Sequence, residues 1–558
     1  MKQIFTFLAI QLAFGINAQT VSWLDPIGAP IKAIVSDVNG NIFATGSFSG
    51  TVDFDPGLGV IEKTANGYLD GYVAKYAPDG TFLWVRQFWA NSDAALSATA
   101  ISVAPNGNIV FGGNFAGLVD FMPEHGGVPI TSTGSDGFVC GLNNSGDYLW
   151  LDHWATYGEF FVTSLCSDIS GNIGVIGKFT SNVDFDPGDA VYNLSAIGTG
   201  SAYVLKLLPG GTLAWIIPFN SGPIVTVNSI ANDDNGSFYI AGSTSDSLTL
   251  GSVQINTPSG ISLDAILMKI DGNGDAQWGI AIGGSMVDVF SAVDVNSAGE
   301  IAVTGTIAGN FDLDPGTGFI NAYCNNQDAV LMKFNTDGSL AFGVKCNGTS
   351  GFGDYNSGNA VAIAENGDCY FTGDFIGSLD ADFGAGYATL QYVNAGQDAF
   401  ICKYSSVGGF IWAGSITGDG YSVGNSLAIA PNNDLYMSGA MSNSNAFNIG
   451  TFQEYINLGP VNSALLKISS LATQLEYVNS DNIFELSPNP SNNLLNIQLN
   501  TKDETAEIRI TSLLGQTLQT SMCNSSVQIS TADLPSGIYI VVCNHKGTQS
   551  QRKLIVAH

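Results

Sequence analysis

The chain has 558 residues, among them 68 glycines, with 11% aromatic and only 12% charged side chains and a formal net charge of −31. With 17 basic against 48 acidic residues, a nucleic-acid partner is excluded, because such a field repels a polyphosphate. A glycine-rich, weakly charged chain of this kind predicts a turn-dense all-β protein with large cores rather than a helical one.

Residues 1–18 read as a secretory signal peptide. Lys2 supplies the positive start, Ile4 to Phe14 the apolar stretch, and Asn17-Ala18 a small-residue boundary before Gln19. No later apolar run is long enough to span a bilayer, so no transmembrane segment is expected.

From residue 19 the chain repeats itself. The stretch Gly46-Ser-Phe-Ser-Gly-Thr-Val-Asp-Phe-Asp-Pro-Gly57 returns at Gly113, Gly177 and Gly305, and in weaker form at Gly242, Gly373 and Gly439. The leading glycines are 67, 64, 65, 63, 68 and 66 residues apart, which makes seven copies of one unit. Upstream of each copy lies a hairpin such as Ala33 to Gly46, with Asn39-Gly40 at its turn, where both residues tolerate positive φ. Downstream lies a second hairpin, Asp70 to Trp84, with counterparts ending at Trp150, Trp215, Trp278 and Trp412. Four strands per unit and seven units predict a seven-bladed β-propeller over residues 19–469. The seventh copy lacks its tryptophan strand, and Val21-Ser-Trp23 at the other end of the chain is the piece that would close the last blade.

Residues 470–483 are a polar-biased connector, and residues 484–558 change character. Short alternating strands such as Leu494 to Leu499 and Ala506 to Thr511, separated by turns, predict a small β-sandwich. Charge supports the boundary: from Phe484 onward five basic residues balance five acidic ones, so the whole excess of negative charge belongs to the preceding part.

Four motifs occur in order in this last part: Phe484-Glu-Leu-Ser-Pro-Asn-Pro490, Ile510 to Gly515, Leu534-Pro-Ser-Gly-Ile-Tyr539 and Arg552-Lys-Leu-Ile-Val556. The set resembles the type A carboxy-terminal sorting domain of proteins exported by the type IX secretion system of Bacteroidetes. The resemblance assigns the sorting motif to Pro488, Asn489, Pro490, Gly515, Gly537, Tyr539 and Lys553. It implies the type IX machinery as a partner, a secreted or outer-membrane surface location, removal of this domain, and release or lipopolysaccharide attachment of the rest. The propeller repeat is similar to bacterial seven-bladed repeats of cell-surface proteins, a family with no single activity.

Candidate chemistry is sparse. Asp53/Asp55, Asp184/Asp186 and Asp312/Asp314 are carboxylate pairs two residues apart, with Asp380/Asp382 a degraded copy. Alternate residues of an extended segment face one way and hard oxygens suit calcium, so one reading is a calcium clip on the loop. The other reading is a turn in which Asp accepts nearby backbone N–H groups and Pro-Gly reverses the chain. The repeated lysines (Lys75, Lys206, Lys269, Lys333, Lys403, Lys467) read as solvated or carboxylate-paired strand positions rather than as a ligand-binding ring. The tryptophans read as packing between blades rather than as sugar platforms. Of the eight cysteines, Cys140, Cys402 and Cys369 fall on apolar core positions. Cys324 with Cys346, and Cys523 with Cys543, are candidate disulfides that spacing alone does not establish.

The four histidines, His125, His153, His545 and His558, fit no metalloprotease motif, and neither a nucleophile elbow nor a phosphate loop is present. The expected function is therefore a monomeric, non-catalytic binding or adhesion module meeting a glycan or protein partner. The alternatives are a carboxylate-dependent polysaccharide hydrolase or lyase and a purely structural surface component.

Overall fold

The computed structural model describes residues 19–470 and 484–556, apart from positions 58, 124–125, 189, 220–221, 259–261, 317, 319, 349–354, 385, 393–395, 450–451, 458–461, 489–490, 500–504, 512–516, 533, 536 and 546–547. The expected signal peptide (1–18) and nearly all of the expected connector lie outside the described residues. The chain divides into two compact units, Met1–Leu471 and Ala472–His558. Among the described residues every regular element is a β-strand.

The first unit is a seven-bladed β-propeller. In blade 1 the strands Ile31–Ser36, Ile42–Phe48, Asp70–Tyr76 and Phe82–Ala90 pair antiparallel in that order. Blade 3 repeats the order with Phe160–Ser167, Ile173–Phe179, Ser201–Leu207 and Leu213–Phe219. In blade 7 the chain supplies Ser422–Ile429, Leu435–Met441 and Asn462–Ser470, and the fourth strand is Gln19–Ile27 from the other end of the chain. Each blade's first turn needs a left-handed residue. Gly40 (φ 77°), Gly107 (83°) and Gly171 (78°) supply it, and in blade 7 Asn433 (64°) does so instead, being the other residue type that tolerates that region.

The hydrophobic cores lie between blades rather than within them. One contains Phe43 and Val73 of blade 1 together with Leu96, Phe111, Phe115 and Phe138 of blade 2. The repeated tryptophan and lysine fasten the same interfaces. Trp215 Nε1 and Lys206 Nζ of blade 3 both donate to the Gly272 carbonyl in the last turn of blade 4, at 3.1 and 2.9 Å. Trp23 Nε1 and Lys467 Nζ of blade 7 do the same to Pro78 of blade 1, at 3.1 and 3.0 Å. Blade 6 faces the one blade whose third and fourth strands come from opposite ends of the chain. There the corresponding Trp412 Nε1 has no acceptor among the described residues.

The second unit is a small β-sandwich. Phe484–Ser487, Leu494–Leu499 and Ser526–Ser530 form one sheet, and Thr517–Cys523, Ala506–Thr511, Gly537–His545 and Thr548–Val556 the other. Leu494–Leu499 alternates exposed and buried positions, and its buried face joins Phe484, Ile508, Ile510, Val541 and Leu554 in one core.

Candidate functional site

Strand order decides where each loop emerges. Strands alternate in direction, so first-to-second and third-to-fourth turns leave one face of the ring, here the lower face. Second-to-third hairpins and blade-to-blade connections leave the opposite, upper face. The first strand of each blade is innermost. Segments within 32–38, 99–102, 163–166, 228–232, 291–295, 359–365 and 425–433 wall a central cavity of about 750 Å³.

Each inner strand carries a β-bulge near its upper end, at the same repeat position in all seven blades. The bulged residues are Lys32, Thr99, Thr163, Asn228, Ser291, Asn359 and Asn425. A bulge leaves one residue outside the ladder and re-aims its side chain. It also explains the repeat's leading glycine. A Cβ on Gly113, Gly177 or Gly373 would lie 1.9, 1.8 or 1.7 Å from the carbonyl oxygen of Ser97, Phe161 or Ser357 on the kinked inner strand. Four bulge side chains reach the next blade: Thr99 donates to Val162 O (2.6 Å), Asn228 to Phe290 O (2.9 Å), Asn359 to Gly424 O (3.2 Å) and Asn425 to Ile31 O (3.5 Å). Lys32, Thr163 and Ser291 make no such tie among the described residues.

Among the exposed aromatics, Trp89 (39% exposed) lies in the outer strand of blade 1, and six tyrosines lie on connecting segments. Tyr157 is 92% exposed, Tyr387 88%, Tyr68 71% and Tyr421 38%, and Tyr192 and Tyr323 are exposed as well. All six sit on second-to-third or blade-to-blade segments. Ile224, Met286 and Val287 on two further blade-to-blade connections are exposed beside them, whereas the lower turns expose only the aliphatics Val38, Ile169, Leu208 and Val407. In the channel wall, Asp294 and Glu365 are carboxylates without counterparts in most other blades. Burial pushes Asp294 up to about 6, against the opposing bonds from the Ile363 and Val295 amides, with Glu365 adding repulsion.

The six aspartates of the calcium reading all lie on second-to-third hairpins, which start at the upper ends of the blades and fold back along their outside. The hairpin of blade 2 pairs with the outer strand of blade 1, and the Tyr76 hydroxyl at the lower end of blade 1 donates to Phe54 O at 3.2 Å. Asp53 Oδ1 accepts from Asp55 N and Ile61 N (3.0 and 2.8 Å), and Asp55 Oδ1 from Gly57 N (2.9 Å). Asp184 and Asp186 repeat this with Asp186 N, Tyr192 N and Gly188 N. Asp312 and Asp314 do so with Asp314 N, Ile320 N and Gly316 N. Each first carboxylate thus ties the two arms of its hairpin while each second one caps the Pro-Gly turn. Among the described residues no group of three or more His, Cys, Asp or Glu side chains is arranged to hold a metal ion.

Sequence reasoning missed two partners of these aspartates. Asp25 and Asp152 project from fourth strands toward Asp55 and Asp186 of the following blade. Burial first, then those neighbours and Asp79 beside Asp25, push Asp25 up to about 6 and Asp152 up to about 8. Asp152 Oδ2 is buried without a hydrogen-bond partner among the described residues. No local motif marks either residue, because each pair forms only across a blade interface.

Five of the six repeated lysines pair with carboxylates, Lys403 with Asp368 (2.9 Å), Lys467 with Asp434 (2.7 Å), Lys333 with Glu300 (2.8 Å), Lys269 with Asp233 (3.6 Å) and Lys75 with Asp37 (3.9 Å), and Lys206 donates to Gly272 O. All eight cysteines are buried free thiols, so neither candidate disulfide is formed. Cys324 and Cys346 belong to different cores, since they lie on opposite sides of their blade. Cys523 and Cys543 share one core but lie on strands separated by Ala506–Thr511. His153 Nε2 bonds buried Asp136 at 2.9 Å, in the position where Gln87 bonds Asp70 in blade 1, so this histidine is a structural clasp.

Of the sorting-motif residues, Asn489, Pro490 and Gly515 lie outside the described residues. Pro488 follows the first strand of the sandwich, and Gly537 and Lys553 lie in the two paired last strands. Tyr539 is buried, and its hydroxyl donates to Pro535 O at 2.7 Å. No helix among the described residues is long and apolar enough to cross a membrane.

Comparisons with known proteins give three likenesses. An uncharacterized WD repeat-containing protein of Acanthamoeba polyphaga mimivirus is 22% identical over 390 residues, covering 56% of this chain. The chain spans only 27% of that relative's length. Among solved structures, the rhamnogalacturonan lyase YesW aligns over 97% of this chain and 92% of its own, at 11% identity and a TM-score of 0.23. A score that low says nothing about this chain's chemistry. Residues 485–557 match the family described as "Secretion system C-terminal sorting domain". The carboxy-terminal sandwich is thus a type IX sorting domain, and the protein carrying it is secreted or attached to the cell surface.

Proposed function

We propose that the propeller is a non-catalytic binding module that holds a glycan on its upper face, around the mouth of the central channel. The six exposed tyrosines carry the reading, since all lie on segments that leave the upper ends of the blades and none on a lower turn. A tyrosine offers a flat apolar ring and a hydroxyl at small entropic cost, and such clustered exposure marks contact surfaces. Of the three channel carboxylates, Asp37 is engaged by Lys75 and by its own turn, and the other two, Asp294 and Glu365, favour the second reading, a carboxylate-dependent hydrolase or lyase. Both, however, lie below the level of the bulges, and Asp294 is engaged by the Ile363 amide. In this proposal the sorting domain delivers the propeller and is then removed, leaving it released or lipopolysaccharide-attached.

The test is a glycan array with the full chain, read for both retention and new reducing ends. Retention without product supports the binding module, and released sugar supports the hydrolase or lyase. Silence in both channels leaves the structural or protein-partner reading.

A further inference from the structure

Only 11 Lys and Arg residues lie between Gln19 and Phe484, against 43 acidic ones. Most of these cations are engaged. Arg86 bonds Gly146 O, Lys206 bonds Gly272 O, Lys345 pairs with Asp328, and the repeated strand lysines pair as above. Lys63 has an interaction as well. Lys32 and Lys178 are exposed and have no partner among the described residues, and of the two Lys32 lines the central cavity. Among the cavity-lining residues it is the one cation.

Its position makes the departure informative. In blades 2, 4, 6 and 7 the bulged residue ties one inner strand to the next, so a short polar side chain has a structural use there. Blade 1 forgoes that tie and places a long ammonium in the ring. The two other untied bulge residues are hydroxyls, Thr163 on blade 3 and Ser291 on blade 5, so alternate blades present one free charge and two free donors at the same level. The cavity below them, about 750 Å³, is of the size that small-ligand sites occupy. The carboxylates of the wall sit deeper. Asp294 lies three residues beyond its bulge, roughly 10 Å along the strand at about 3.3 Å per residue, and Glu365 lies in the lower turn past the end of Tyr355–Ile363. The channel is therefore positive at its upper mouth and negative below.

We infer that the glycan held at the upper face is acidic, and that Lys32 receives its carboxylate or sulfate ester at the channel mouth while Thr163 and Ser291 hydrogen-bond the same residue of the ligand. This rests on the binding reading above and adds the ligand's charge to it. An acidic sugar approaching a chain of this net charge meets general repulsion, so its attachment is favoured where a free cation stands in the cavity wall.

The experiment is calorimetric titration of the full chain with three trisaccharides: trigalacturonate, one bearing a single sulfate ester, and neutral maltotriose. At least one acidic trisaccharide binds more tightly than maltotriose, and which of the two does so identifies the anion. Lys32→Met weakens that binding by about tenfold or more, added salt weakens it likewise, and Lys32→Arg restores most of it. Unchanged melting of Lys32→Met shows that the loss is local. If Tyr157→Ala weakens binding but Lys32→Met does not, or if maltotriose binds as well as both acids, the acidic-ligand inference is overturned while the binding face stands. If none of the three binds, both are overturned.

Discussion

The two faces of the propeller are built from the same seven repeats yet solve different problems. The lower face is closed. Its turns are three-residue reversals ending on a left-handed glycine, or Asn433 in blade 7, and the tryptophan and lysine of one blade donate to the turn carbonyl of the next. The upper face is open. Its inner strands kink at seven bulges, and the segments that leave it carry the tyrosines that stand in solvent. A repeat architecture can therefore divide its labour, fastening blades at one rim and displaying side chains at the other. The difference arises because antiparallel pairing sends alternate loops to opposite sides.

The sharpest way to break the upper rim is Gly177→Ala. The new Cβ would meet the Phe161 carbonyl oxygen at 1.8 Å, a backbone atom that cannot move without opening the bulge. A loss on the order of 3 kcal/mol is expected, read as a lowered denaturant midpoint; wild-type stability would show that the strands can separate freely. Breaking the lower rim with Trp215→Ala removes a hydrogen bond and a packed ring at the blade 3–4 interface, for a loss of roughly 2–3 kcal/mol. Glycan retention should survive in whatever fraction remains folded.

The comparison is sharpened by pairing Tyr157→Ala with Val407→Ala, exposed residues on opposite faces. The tyrosine change should weaken glycan retention by about fivefold to tenfold while the valine change leaves it alone. Equal effects would mean that the faces do not differ in function.

A pH test probes the interface between blades 2 and 3. Asp152 is held near 8, far above the ordinary carboxylate value of 3.8, so the folded state keeps a proton that the unfolded chain releases. Its stabilising contribution is complete below about pH 4 and is lost as pH rises through 8. Asp25, Asp288 and Asp294, each raised to about 6, lose theirs earlier. Wild-type melting temperature should fall from pH 5 to pH 9, and Asp152→Asn should flatten the upper part of that fall. Parallel curves for the two proteins would remove Asp152 from the explanation.

The smallest expected effect concerns calcium on the second-to-third hairpins. If it occupies the Asp184/Asp186 loop, restoring calcium to chelator-treated protein raises the melting temperature slightly. The doubly substituted Asp184→Asn, Asp186→Asn protein, which keeps both acceptor oxygens for Tyr192 N and Gly188 N, gains nothing. An identical response from both proteins would leave these aspartates as turn formers.

Much of this fold was legible in the sequence because its instructions are local. Asn39-Gly40 announces its own turn through the φ it tolerates, alternation announces a strand, and a spacing of 63 to 68 residues announces a blade. The sorting domain was legible for a similar reason, as four ordered motifs within one short unit. The tertiary structure alone decided what the repeated residues are for. The leading glycine looks like a turn residue until the kinked strand is seen pressing on it at Gly177. Lys32 looks like any strand lysine until its six counterparts prove to be small polar residues around one channel. Asp152 meets Asp186 only after two blades have packed together. Chain-local signals describe how each blade folds, but convergence between blades is set by ring closure, and no residue's neighbours in sequence contain that information.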